Sequence, residues 1–196
     1  MRFVKENSYD ILKLFINQIG IAIFSLFLYT AVGMIEDDAL KFTINIFVSL
    51  FAIAFYLFLL YTVAWEWGAK DKIRYDAGRF TLKMGKGALI AFYANIINFL
   101  IAFIAVISML FVINNENSWF GSLFDVSNLI MRFISSMNIG FLSGLFSKLE
   151  YRSLFESIGF FVMPVIPILA THFGYLMGFR EKRIFPSRKR TSNTKK

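Results

Sequence analysis

The chain has 196 residues, of which 57% are hydrophobic, 18% aromatic and only 17% charged, against about 25% charged in an ordinary soluble domain. A soluble fold of this length leaves too much surface exposed to hide that much apolar side chain, whereas a bilayer solvates it directly. The net charge is +8 and cysteine is absent, which excludes disulfides, thiolate nucleophiles and thiolate metal sites.

The first 13 residues are polar and carry Arg2, Lys5 and Lys13. An apolar run follows over residues 14–35, interrupted near its start by Asn17 and Gln18. Glu36, Asp37, Asp38 and Lys41 form an acidic turn. The second run, 42–65, has 24 residues and reaches ~36 Å as a helix, enough to span a ~30 Å hydrocarbon core with some tilt. Residues 66–86 are charged throughout and read as a loop. The third run, 87–113, has no charge, and residues 114–152 are mixed. The fourth run, 154–179, has Glu156 near its start, and a basic tail covers 180–196.

These runs are more than twice the ~10 residues of a barrel strand and are apolar all round, so they are helices. The expected fold is all-α: a polytopic membrane helix bundle of four transmembrane helices in a single membrane domain, 1–179. Within the mixed stretch, Leu123, Val126, Ile130, Phe133, Met137 and Phe141 recur at helical spacing, with Asp125, Asn128, Arg132 and Ser135 opposite. This pattern predicts one amphipathic helix over about 120–146, lying at the outer interface or capping the bundle. A fifth span there would place Arg132 near mid-membrane at ~2.5–3.5 kcal/mol and send the basic tail outside. A cleaved signal peptide ending at Ala31-Val32-Gly33 is disfavoured, because the run before it is longer than a usual signal core.

Lys and Arg number three in the first segment, six over 66–86 and eight in the tail, against one in the acidic turn and three over 114–152. Both ends are therefore expected in the cytoplasm of a multi-pass cell-membrane protein. Orientation and anionic lipid headgroups explain the basic residues better than nucleic acid does.

Polar groups inside spans are the best functional pointers in such a protein. Asn17, Gln18, Asn95, Asn98 and His172 fall at similar depth in the cytoplasmic half. Interhelical hydrogen bonding accounts for them simply; a polar cavity for a substrate or ion is the alternative. His172 is the only histidine, and no carboxylate lies at its depth to complete a proton relay. Pro164 and Pro167 predict a kink in the fourth span. Gly174 with Gly178, and Gly140 with Gly144, are G-x-x-x-G pairs that allow close helix approach, within or between chains.

In the central charged stretch, Trp65 and Trp67 suit an interfacial belt. Arg74 and Arg79, with Arg188, Lys189 and Arg190 in the tail, suit contact with lipid headgroups or a partner. Glu66, Asp71 and Asp76 are interleaved with Lys and Arg, so local salt bridges are a simpler account than a metal site. Trp67, Gly68, Asp71, Gly78 and Arg79, supported by Gly174, Tyr175 and Gly178, give the chain a resemblance to small four-span membrane proteins of low-GC Gram-positive bacteria. That resemblance implies topology and a bacterial membrane, and no activity.

The sequence carries no H-E-x-x-H and no phosphate-binding Gly-rich signature, so neither a zinc protease nor a nucleotide-binding enzyme is expected. No cofactor or metal is expected either. The leading expectation is a non-enzymatic accessory or assembly subunit acting through a membrane partner or as a homo-oligomer. The alternative is a small oligomeric transporter or channel with its path in the cytoplasmic half.

Overall fold

Lipid offers the backbone no hydrogen-bond partner, so each long apolar run must close its own bonds as helix. The computed structural model describes residues 2–79, 81, 84–114, 118–146, 148–149 and 152–182, and all its regular elements are helices. These are α1 (Arg2–Glu6), α2 (Ser8–Gly33), α3 (Asp38–Asp76), α4 (Lys86–Asn114), α5 (Ser118–Ile134), α6 (Ser136–Phe146), α7 (Arg152–Val162) and α8 (Val165–Phe179). The helices α2, α3, α4 and the α7–α8 pair are long and apolar enough to cross a membrane. The chain is a multi-pass integral membrane protein.

The N-terminus of α2, the C-termini of α3 and α8 and the N-terminus of α4 share one end of the bundle, here called the terminal end. The α2–α3 turn occupies the far end, where Asp37 caps α3 by accepting from the N–H groups of Ala39 (2.9 Å) and Leu40 (3.1 Å). Such a cap satisfies donors that have no partner within the helix.

Residues 66–76, expected as loop, instead extend α3 by three turns beyond its apolar run. Thirty-nine residues make a helix of ~58 Å, nearly twice the hydrocarbon thickness. Its charged end is helix because Lys72 pairs with Asp76 one turn on, and because the terminating glycine comes only at Gly78. There φ is +69°, and Gly78 and Arg79 donate to the carbonyls of Tyr75 (2.9 Å) and Arg74 (3.0 Å). That is a Schellman stop, which favours glycine at the left-handed position.

The stretch expected as one outer helix is two. α5 and α6 meet at an angle of 114° at Ser135. α5 starts at the far end and descends beside α4, where Met131 packs with Ala102, Leu142 and Phe160. α6 starts deep and climbs back along α3, with Gly140 against the Asn45 carbonyl and Gly144 against Ile46. The turn between them sits beside Ala22 and Ser49. Ser49 is eleven residues, ~17 Å, from the far end of α3. The pair therefore enters the bundle from the far end and returns to it as a re-entrant hairpin.

The amphipathic period of α5 is present, but its sense is that of a membrane. Phe124, Ser127 and Met131 are buried, while Val126, Leu129, Ile130 and Phe133 are exposed. In lipid the outward face is largely apolar, and Ser127 turns inward, while Asp125, nearer the far end, is exposed. Arg132 accordingly reaches Glu156 on α7, which Arg152 also holds at 2.7 Å.

Candidate functional site

The terminal end is organised by a close crossing of α3 and α8. A Cβ at Gly68 would collide with the Tyr175 carbonyl, and one at Gly178 with the Trp65 carbonyl; one at Gly174 would come 2.6 Å from the Tyr61 carbonyl. The Gly174–Gly178 pair is thus used within the chain. Because the backbones touch there, Tyr175 is wholly buried and its hydroxyl donates to Asp71 Oδ2 at 3.0 Å. Lys86, at the start of α4, donates to the same oxygen at 2.7 Å, and Arg74 lies 3.7 Å from Oδ1. Burying a carboxylate is costly unless it is paired and hydrogen-bonded in this way. Asp71 therefore clasps α3, α4 and α8 together.

Beside the clasp lies a pocket of about 330 Å³. Lys13, Lys70, Arg74 and Lys86 face Asp10 and Asp71 around it, with Tyr9 and Trp67 as aromatic walls. Asp10 and Lys13 of α2 line the same pocket as Lys70, Asp71 and Lys86, so α2 contributes to the same charged cluster as α3 and α4.

The expected intramembrane cluster is only partly brought together. Asn98 donates to Asn95 Oδ1 at 2.9 Å, and Asn95 donates to the Ala91 carbonyl at 2.9 Å. Asn95, Asn98 and Gln18 are all buried. Asn98 Oδ1 and His172 Nδ1 are buried with no hydrogen-bond partner among the described residues. Asn17 is half-buried and lines a shallow groove on α2 with Leu12 and Ile16.

Pro164 separates α7 from α8 and caps the latter. The carbonyl of Met163, which Pro167 cannot use, accepts instead from Ile166 at 3.2 Å. The break lies opposite the turn of the re-entrant hairpin. Between them is a pocket of about 10 Å³, lined by Tyr56, Met137, Asn138, Met163 and Pro167 among others, which is the size of one water site. The hairpin turn is held by side chains: Ser136 donates to the Ala22 carbonyl at 2.7 Å, Ser49 donates to the Met137 carbonyl, and Phe141 N–H donates to Ser49 Oγ at 3.1 Å.

Of the expected headgroup contacts, Arg74 and Arg79 are exposed. Trp67 is buried in the core, and the Trp65 indole N–H donates to the Lys182 carbonyl at 2.7 Å, so both indoles also serve the fold. Arg188, Lys189 and Arg190 lie outside the described residues. Sequence reasoning treated Asp71 as one of several loop acids, named Tyr175 only for the resemblance, counted Lys13 and Lys86 only for their charge, and did not single out Asp10. The available signal was spacing: Trp67, Gly68 and Asp71 share one helical face, as do Gly174, Tyr175 and Gly178. Comparison with family models, with curated proteins and with solved structures finds no match to the chain.

Proposed function

We propose that this protein moves a small ion or polar solute across the membrane without enzymatic chemistry, gated where the re-entrant hairpin α5–α6 meets the proline break of α7–α8. One observation carries the reading: two interrupted helices face each other at mid-bundle across a water-sized pocket that Asn138 lines. Broken helices at membrane depth accompany substrate paths in transporters, because freed backbone and inward polar groups replace hydration. Gln18, Asn95 and Asn98 are further buried polar groups on α2 and α4. A role as accessory subunit has less support, since Gly140, Gly174 and Gly178, available for a partner on sequence grounds, pack within the chain.

The test is flux into proteoliposomes holding the purified protein, read for protons, Na⁺, K⁺, Cl⁻ and phosphate. Asn138→Leu is expected to lower the conducted species about tenfold, as removal of a buried polar partner implies, with the protein still monodisperse. No flux of any species, together with a stable membrane partner in pull-downs, would sink the transport reading and favour the accessory one. The same reading sets both termini in the cytoplasm, from the distribution of Lys and Arg. A membrane-impermeant thiol reagent should then label Lys148→Cys, exposed at the far end, in intact cells; labelling only after permeabilisation reverses the orientation.

A further inference from the structure

We propose that the polar pocket at the terminal end and the groove beside it form one binding site for an anionic phospholipid. The phosphate would sit among Lys13, Lys70 and Arg74, and the first part of an acyl chain along Leu12 and Ile16. This inference stands apart from the transport reading.

Three observations meet here. First, charge: Lys86 is committed to Asp71 at 2.7 Å, whereas among the described residues Lys13 and Lys70 make no ion pair. Arg74 holds Asp71 only at 3.7 Å. With Asp10 as the remaining acid, the pocket keeps an excess of positive charge. Second, size: about 330 Å³ is far more than one ordered water needs, so the pocket has room for a phosphate and its ester group.

Third, continuity: the neighbouring groove of about 120 Å³ is lined by Tyr9, Leu12, Lys13, Ile16 and Asn17, so Tyr9 and Lys13 border both spaces. Leu12 and Ile16 are exposed one turn apart on α2, and the groove runs from the charged end of that helix into its apolar run. Tyr9 to Ile16 is ~10 Å along the axis. A free phosphate would use the pocket and leave the groove unused; a phospholipid uses both. Basic pockets between transmembrane helices are a recognised form of headgroup site.

The experiment uses the full chain in mild detergent and native mass spectrometry with added dioleoyl-phosphatidylglycerol or dioleoyl-phosphatidylcholine. Binding of the anionic lipid is expected to be at least about tenfold tighter, and Lys13→Gln with Arg74→Gln should remove about tenfold of that preference. Lys148→Gln, an exposed cation at the far end, should leave it intact. Ile16→Ser should weaken dioleoyl lipid more than its dihexanoyl analogue. Should the double variant fail to fold, Lys70→Gln replaces it. The proposal is overturned if the preference survives loss of the pocket cations. It is also overturned if inorganic phosphate displaces the lipid as well as a second phospholipid does, since the site would then serve a free anion.

Discussion

Two buried carboxylates sit at opposite ends of the bundle, and their surroundings differ in a way their own burial does not reveal. The side chains of Asp71 and Glu156 are 2% and 4% exposed, and each has two cations within reach. At the terminal end the main partners are enclosed: Lys86 is 12% exposed and Tyr175 is wholly buried. At the far end Arg132 and Arg152 are 37% and 47% exposed, and Arg152, at the start of α7, can extend its guanidinium toward water or headgroups, as long cationic side chains do. The comparison shows that what a buried charge contributes depends on where its partners can go when it is removed. Asp71 joins three helices through a lysine and a tyrosine that are themselves enclosed, whereas Glu156 settles two arginines that are partly exposed.

The comparison breaks most directly by truncation. Asp71→Ala removes the carboxylate that Lys86 and the Tyr175 hydroxyl share, so it should destabilise by about 3–5 kcal/mol, the range for breaking a buried pair. Glu156→Ala releases two half-exposed arginines and should cost only about 1 kcal/mol, as for exposed pairs. Equilibrium unfolding in mixed micelles measures both; equal losses would mean that the exposure of the partners does not matter. A smaller effect sharpens the account of the terminal end. Tyr175→Phe removes one hydrogen bond to a charged acceptor and should cost about 1.5–3 kcal/mol. In the Asp71→Ala background the same change should add almost nothing, because the bond is already gone. Additive losses would show that Tyr175 acts through packing alone.

Much of the architecture is legible in hydropathy. The four apolar runs correspond to α2, α3, α4 and α7–α8, and Pro164 stands where the last of these breaks. Periodicity likewise announces helix over about 120–146, where α5 and α6 lie, but it could not announce the turn at Ser135. Nothing local to that position demands a break; the turn is stable because Ser49 and Ala22, remote in sequence, supply partners for it. Nor could charge counting distinguish Asp71 from Glu66 or Asp76, which share its stretch of chain. Asp71 alone is buried, because Gly68 lets Tyr175 approach.

What the sequence by itself determined is the solvent and the secondary structure. Apolar runs of this length must lie in lipid, and in lipid the backbone must be helical, since no other local conformation satisfies its hydrogen bonds. What only the tertiary structure decided is which polar groups meet: the Asp71 clasp with its cationic pocket, the Arg132–Glu156 pair and the mid-bundle contact of two broken helices. Those depend on glycine-mediated approach and on depth along neighbouring helices, quantities that join residues a hundred positions apart and leave no local mark in the chain.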